Sequence, residues 1–139
     1  MSQKVAVRQY SNFQIEFRAT DPEGSESEEM KTVETVYDLD PYNMLLASLG
    51  ACTTIVLHTY AHNRGINLEQ VDITLEYKRN FKEDCENCEK IEQYDELIEQ
   101  RLSLKGDFTP EQKKKLDFIS EKFSIHKMLE SGIKIRSLQ

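Results

Sequence analysis

DPYNMLLASLGACTTIVLHTYAHNRG, residues 40–65, is the stretch that decides the fold, because it carries the start and stop signals of one long helix. Asp40 is a residue type that caps helix N-termini, and Pro41 suits the first turn, where its missing N–H is not needed. Gly65 stands where a residue in the left-handed conformation would end the helix. These signals predict a helix from residue 41 to residue 64.

The predicted helix is apolar on nearly every side between residues 44 and 57, with a few Ser and Thr residues as interruptions. A helix of that kind is normally buried in a core. The apolar run is too short and too interrupted to predict a membrane span. We therefore expect a buried central helix with Cys52 near its midpoint, directly after the small residues Gly50 and Ala51.

The length of this helix bears on assembly. About 24 helical residues span roughly 36 Å, which is longer than the radius of a compact domain of this size. Six strands and one amphipathic helix can hardly cover such a helix within a monomer. We therefore expect an obligate homodimer with the two long helices near its centre.

Alternating apolar residues predict strands before the helix. Residues 4–18 form two strands joined by a turn at residues 10–12, and residues 31–38 form a third. The intervening residues 21–30 are polar and acidic and predict a surface loop.

After the helix, the pattern predicts two further strands, a capped helix and a short last helix and strand. Thr109 and Gln112 form a capping box that starts the helix. The predicted segments are strands at 68–79 and 94–105, a turn at Gly106–Asp107, a helix from residue 109, a short helix at 124–130 and a closing strand at 133–138.

This order of elements predicts an α+β fold, with a mainly antiparallel sheet around the central helix, in a single domain of residues 1–139. The net charge of −7 argues against nucleic acid or an anionic membrane as the main partner. Three cysteines fit poorly with a secreted disulfide framework, and the N-terminal MSQKVAVRQY has no apolar leader. We expect a cytoplasmic protein without a cofactor.

Cys52 allows two interpretations. In the first it is a small apolar residue of the core, as cysteine often is. In the second it is reactive, which requires a nearby cation or hydrogen-bond donors to favour the thiolate. Cys52 is about three turns inside the helix, too far for the helix N-terminus to help. The cation would then come from another element, with Arg8 or Arg18 as candidates.

Three runs of the sequence resemble the OsmC/Ohr family. The first is PYNMLLASLGACTT with the following YAHNRGINLEQV, at residues 41–54 and 60–71. The second, DCENCE at 84–89, is similar to a cysteine-paired segment of one OsmC-like branch. The third, GDFTPEQKKKLDFISEKFSIHKMLE at 106–130, is similar to the C-terminal half of that branch, whose motif is roughly KCPVHRTLE.

The resemblance implies an intertwined two-subunit α+β fold with two buried central helices. It also implies a role in oxidative stress, in which a thiolate reduces organic hydroperoxides and an external thiol completes the cycle. In that chemistry an arginine keeps the thiolate charged, and a carboxylate near the helix start orients the arginine. A resolving cysteine forms a disulfide with the oxidised thiol.

Only part of this machinery carries over to the present sequence. Cys52 matches the attacking cysteine, and Arg18 is preferred over Arg8 as the arginine. Phe123 stands where the resolving cysteine is expected, and Asn43 stands in place of the carboxylate.

Cys85 and Cys88 form a C-x-x-C pair that could replace the missing thiol. Such a pair could also be unreactive, or supply half of a metal site, although structural zinc normally needs four ligands. Further candidate ligands are His58 and His62, four residues apart on the predicted helix, His126, or the same cysteine pair of a second subunit. We interpret His126 as a residue that bonds within the short last helix.

Two hypotheses follow. In one, the protein is a dimeric thiol peroxidase that uses Cys52 and Arg18, with resolution by Cys85, Cys88 or a small thiol. In the other, it is a non-catalytic OsmC-like dimer that binds a small apolar molecule beside Cys52, or a C-x-x-C redox or metal-binding protein.

Overall fold

The computed structural model describes residues 3–21, 29–81, 94–122 and 125–138. Five strands, three α-helices and one short 3₁₀ helix make up this part of the chain. In chain order they are β1 (Gln3–Tyr10), β2 (Ile15–Thr20), β3 (Met30–Thr32), the 3₁₀ helix (Val36–Asp38), α1 (Pro41–Arg64), β4 (Asn67–Phe81), β5 (Tyr94–Asp107), α2 (Pro110–Ser120) and α3 (Ile125–Ser131).

The described strands form one antiparallel sheet in the order β3-β2-β1-β4-β5. β1 and β2 are a hairpin whose turn ends at Phe13, a residue in the left-handed conformation with φ 69°. β4 and β5 pair along almost their whole length, with one register shift between Leu68 and Gln70. The predicted α+β class with an antiparallel sheet is confirmed.

α1 begins and ends where the sequence signals predict. The Asp40 carboxylate accepts a hydrogen bond from the backbone N–H of Asn43, with Pro41 in the first turn. Gly65 ends the helix with φ 65° and ψ 28°, the left-handed geometry that glycine adopts without steric cost. The capping box of Thr109 and Gln112 likewise starts α2.

α1 crosses one face of the sheet, and its buried residues recur at the three- and four-residue spacing of a single helix face. The first half of this face packs on β1, β2 and β4, and the second half packs on β4 and α2. The buried apolar residues form two clusters, Val5, Val7, Ala19, Leu46, Ala47, Leu49, Ile73 and Leu75, and Leu57, Ala61, Leu68, Val71, Leu116 and Ile119.

Gly50 marks the close approach of α1 to the sheet. A Cβ added there would lie 2.6 Å from Val7 Cγ2 and 2.8 Å from Leu75 Cδ1, closer than packed carbon atoms can be. Glycine at this position therefore lets the helix backbone lie directly on the strands.

Four sequence predictions need correction. The strand predicted at 31–38 ends at Thr32, because Thr35 and Asp38 form a capping box around the 3₁₀ helix. Gly106 and Asp107 continue β5 instead of forming a turn. Residues 133–138, predicted as a closing strand, have no regular secondary structure, since none of the described strands pairs with them.

The fourth correction concerns the length of the apolar segment. By length and hydropathy alone, α1 could cross a bilayer, because its most apolar 18-residue stretch has a mean hydropathy of 1.4. Half of that stretch is buried, and the helix packs against the sheet as the core helix of a globular domain does.

Candidate functional site

Cys52 lies on the side of α1 that points away from the sheet. Gly50 faces β1 and β4, and Cys52 is two residues further, about 200° around the helix axis. Its thiol is free and half-buried. The midpoint cysteine is therefore not sealed in the core of the chain.

The surface around Cys52 is a narrow strip of apolar and small hydroxyl side chains along the outer face of α1, which we name the outward strip. Met44 and Ile55 are its largest apolar members, with 39% and 44% of their surface exposed. Its residues recur at helical spacing and are Met44, Ser48, Cys52, Ile55 and Thr59. A strip of this kind, exposed in one chain, is a surface that a partner or an apolar ligand can cover.

The two candidate arginines lie on the opposite face of the sheet from α1. Arg18 pairs in register with Ala6, between Val5 and Val7, whose side chains face the helix. Its guanidinium donates a hydrogen bond to the Met30 carbonyl at 3.4 Å. The fold of one chain therefore does not bring Arg18 and Cys52 together.

Arg8 shares this outer face but is engaged with an acidic partner. Its Nε lies 2.6 Å from Asp72 Oδ1, and the hydrogen bond to Asp72 raises the pKa of the arginine. Asp72 compensates the positive charge of Arg8, whereas the guanidinium of Arg18 contacts a neutral carbonyl group, so Arg18 remains the better candidate of the two.

Asn43, at the position where the resemblance implies a carboxylate, is fully buried beneath the helix start. Its side-chain amide donates hydrogen bonds to the Thr20 carbonyl oxygen at 3.3 Å and to the Thr20 hydroxyl at 3.2 Å. The residue thus fastens α1 to the end of β2, and it carries no charge that could orient an arginine.

A cavity of about 610 Å³ lies between the first half of α1, the sheet and α3. Leu45 and Leu49 of α1, Ile98 of β5 and Leu129 of α3 provide apolar walls. Leu49 is three residues before Cys52, so the cavity begins within one helical turn of the cysteine. We name it the α3 cavity.

Sequence reasoning missed a polar cluster at the rim of the α3 cavity. Arg79 donates to the Tyr42 hydroxyl at 2.9 Å and contacts the faces of both the Tyr42 and Tyr77 rings. The Tyr77 hydroxyl donates to Glu96, and burial together with this bond raises the pKa of Tyr77. The partners of Tyr77 are Tyr42 of α1, Arg79 of β4 and Glu96 of β5, three separate elements that no local sequence signal connects.

Among the described residues, the histidines belong to no group that could hold a metal ion. His58 is buried against β1 with Nε2 2.9 Å from the Gln9 carbonyl oxygen, whereas His62 is exposed. Burial lowers the pKa of His58. His126 contacts Glu130 within α3, with Nδ1 2.9 Å from Oε1, as its predicted role requires. In the described ranges, no three His, Cys, Asp or Glu residues are grouped to hold a metal.

Cys85, Cys88 and Phe123 lie outside the described residues. The predicted roles of the C-x-x-C pair, as resolving thiols or as metal ligands, therefore stay predictions.

Comparison with known proteins agrees with this architecture. Among solved structures, the chain is similar to an OsmC-like hydroperoxide resistance protein from Jannaschia sp. CCS1, with a TM-score of 0.61 and 13% sequence identity. The alignment covers 98% of the present chain and 91% of the other, and at this identity it concerns the fold alone. A comparison with curated proteins finds no match. The OsmC family model, described as OsmC-like protein, matches residues 34–137, and the chain therefore belongs to the OsmC-like family.

Proposed function

We propose that the protein is a thiol-dependent hydroperoxide reductase in which Cys52 attacks organic hydroperoxides. The observation that carries the proposal is the position of Cys52. It is a half-buried free thiol at the centre of the apolar outward strip, in a chain of the OsmC-like family. The similar solved structure is described as a hydroperoxide resistance protein, which supports the same class of substrate.

The proposed reaction has two steps. The Cys52 thiolate attacks the distal oxygen of the hydroperoxide, the O–O bond breaks, and the alkoxide takes up a proton and leaves as the alcohol. The sulfur loses two electrons and becomes a sulfenic acid. A second thiol, from Cys85, Cys88 or a small dithiol, then forms a disulfide with Cys52 and releases water.

The α3 cavity and the outward strip give this reaction a preference for apolar substrates. Leu45 and Leu49, on the helical turns before Cys52, line the cavity, where Ile98 and Leu129 provide further apolar surface. An alkyl or aryl group placed there would leave the peroxide at the end nearer Cys52. Hydrogen peroxide has no such group and would be the poorer substrate.

The thiolate needs a cation that one chain does not bring to it. Arg18 lies across the sheet from α1, so in this proposal Arg18 of a second copy approaches Cys52 when the copy covers the outward strip. A guanidinium beside the sulfur would favour the charged form that attacks peroxides. The active form is therefore a homodimer with sites built from two chains.

The test is a peroxide consumption assay with cumene hydroperoxide and dithiothreitol. The wild type should consume the peroxide catalytically, and Cys52→Ser should fall to the background rate. The double variant Cys85→Ser/Cys88→Ser shows whether the pair resolves the sulfenic acid, since an unchanged rate assigns resolution to dithiothreitol. Equal consumption by the wild type and Cys52→Ser would remove the enzyme proposal.

A second candidate function rests on the size of the α3 cavity. At about 610 Å³, with mainly apolar walls, it lies within the range of small-molecule sites. The protein could hold an apolar ligand there without chemistry at Cys52. Binding of an apolar fluorescent probe that is equal in wild type and Cys52→Ser, without peroxide turnover, is the result that favours this function.

A further inference from the structure

The α3 cavity leads toward Cys52 along one face of α1. Tyr42, Leu45 and Leu49 line the cavity at the three- and four-residue spacing of a single helix face. Cys52 is the next residue in this row, one turn after Leu49 and about 4.5 Å further along the helix axis. It lies one heptad after Leu45, which it follows with a rotation of only about 20° around the axis. A ligand in the α3 cavity therefore has the thiol at the end of the same helix face.

One group of polar side chains that line the cavity lies far from Cys52 and is internally bonded. Tyr42 belongs to the first turn of α1, and its hydroxyl accepts a hydrogen bond from Arg79 at 2.9 Å. The Tyr77 hydroxyl donates to Glu96, and the centroids of the Tyr42 and Tyr77 rings are 4.7 Å apart. The polar groups of these lining residues are therefore used on one another and on Arg79.

His126 is the described lining residue of the type that gives and takes protons at neutral pH. Its side chain is only 16% exposed, and Nδ1 is buried, 2.9 Å from Glu130 Oε1. Because Nδ1 is buried on this side, Nε2 is the ring nitrogen that a ligand in the cavity can reach. The Glu130 carboxylate beside Nδ1 would balance the positive charge of a protonated imidazole.

The reduction of a hydroperoxide needs a proton at a defined atom. When a thiolate attacks the distal oxygen, the O–O bond breaks, and its electron pair leaves with the oxygen that carries the organic group. An alkoxide is strongly basic and a poor leaving group, so a positioned acid accelerates this step. With the organic group in the α3 cavity, the leaving oxygen lies between the cavity and the sulfur of Cys52.

We propose that His126 is the general acid of this reaction, with Nε2 donating a proton to the departing alkoxide. The proposal rests on the function of Cys52 as a hydroperoxide reductase. In this step the S–O bond forms and the O–O bond breaks, so that sulfur loses two electrons and the peroxide gains them. The proton from Nε2 converts the alkoxide to the alcohol. The neutral imidazole then takes up a proton from water before the next turnover.

Hydroperoxides whose alcohols differ in acidity test this role. Ring-substituted cumene hydroperoxides are compared as substrates of the wild type and His126→Gln, with dithiothreitol as the reductant. The substitution should lower kcat/KM about 100-fold, because a positioned acid contributes roughly that factor or more. The loss should become smaller as the leaving alcohol becomes more acidic. His62→Gln, which changes an exposed histidine that does not line the cavity, should keep the wild-type rate and trend.

The outcomes separate the role of His126 from the function of Cys52. A His126→Gln protein with the wild-type rate and trend would overturn the role of His126 and leave the proposed function intact. A loss that is equal for all substrates would assign His126 to the structure instead of to proton transfer. A wild type that consumes no hydroperoxide would remove the function and this role together.

Nuclear magnetic resonance tests the contact without turnover. The wild type is labelled with ring-¹⁵N histidine, and the product alcohol 2-phenylpropan-2-ol is added at concentrations that displace an apolar fluorescent probe. The Nε2 resonance of His126, identified by its absence from His126→Gln, should shift, whereas the resonances of His62 should not. An unshifted Nε2 resonance, or a probe that the alcohol does not displace, would contradict the placement of His126 beside the leaving oxygen.

Discussion

Asn43, at the position where the resemblance implies a carboxylate, has a structural role in this chain. Its amide holds the end of β2 against the start of α1 through Thr20, and the residue is fully buried. A carboxylate here could not donate these bonds and would place a charge in the core. In this chain the position stabilises the fold, so any cation that serves Cys52 must be oriented by other groups.

The substitution Asn43→Asp should therefore destabilise the protein. The Thr20 carbonyl loses its donor and a buried charge appears, so the free energy of unfolding should fall by at least about 1–3 kcal/mol. Urea denaturation measures the change. Asn12→Asp is the matched control, because Asn12 is exposed and accepts a hydrogen bond from the Gln14 N–H through an oxygen that aspartate retains. Equal stability of the two variants would contradict the structural role of Asn43.

His58 gives the fold a specific response to acid. Burial lowers its pKa below the ordinary value of 6.5, while the unfolded chain keeps that value. As pH falls through about 6.5, His58 binds a proton in the unfolded state but not yet in the folded state, so the free energy of unfolding decreases. The contribution is fully present above this pH and is lost below it, until the folded imidazole titrates as well.

Urea denaturation at several pH values between about 7.5 and 5.5, above the range of ordinary carboxylates, measures this response. The slope of stability against pH should be smaller in His58→Gln than in the wild type, even though the variant is less stable overall. A wild-type slope in His58→Gln would show that other groups cause the acid response.

At the scale of elements, α1 depends on a glycine at its contact with the sheet. Gly50→Ala improves helix propensity by about 1 kcal/mol, but its methyl group would lie 2.6 Å from the buried Val7. Overpacking of a closed core costs about 1–3 kcal/mol, so we expect a net loss of stability. Ser48→Ala, on the exposed side of the same helix, should be neutral or slightly stabilising. Thermal denaturation of the two variants measures this difference. A Gly50→Ala protein at least as stable as the wild type would contradict the close approach of α1 to the sheet.

The elements that could be predicted from sequence are those whose signals are local. The ends of α1 follow from the local chemistry of Asp40, Pro41 and Gly65, and the start of α2 follows from that of Thr109. The strand predicted at 31–38 was wrong, because the capping box of Thr35 and Asp38, which is also a local signal, favours the 3₁₀ helix. Residues 133–136 have the alternation of a strand, yet a strand needs a neighbour that sequence periodicity does not supply.

The candidate site was predictable only where a motif marks it. Cys52 stands out at the midpoint of the apolar helix, and the resemblance implies its role, but which face of α1 it occupies depends on how Gly50 meets the sheet. The cluster of Tyr42, Tyr77 and Arg79 joins residues that are up to 37 positions apart, and no spacing rule connects them. Its residue type makes Arg18 a candidate cation, but the register of β1 with β2 places it on the sheet face opposite α1.

At the scale of the whole molecule, the exposed outward strip predicts a homodimer. Light scattering with size-exclusion chromatography should give twice the chain mass of 16.2 kDa. Ile55→Glu puts a charge in the strip and should shift the protein toward the monomer, whereas Thr59→Ser should not. A wild-type protein that stays monomeric at high micromolar concentration would contradict both the dimer and the two-chain site.

Mixed dimers test whether each site uses two chains. Cys52→Ser and Arg18→Gln should each be inactive alone, but their co-expressed mixture should recover about a quarter of the wild-type rate, since half of the dimers then contain one complete site. Absence of recovery, with mixed dimers demonstrated by mass spectrometry, would place Arg18 outside the site or within the same chain as its cysteine.

If Cys52 is the thiol that accepts an oxygen atom from the peroxide, its sulfenic acid can be trapped. The protein is treated with one equivalent of cumene hydroperoxide in the presence of dimedone, digested and analysed by mass spectrometry. A dimedone adduct is expected on the peptide that contains Cys52 after peroxide treatment, and no adduct is expected on that peptide without peroxide. Peroxide treatment that leaves Cys52 unmodified, or labels only Cys85 and Cys88, would contradict it.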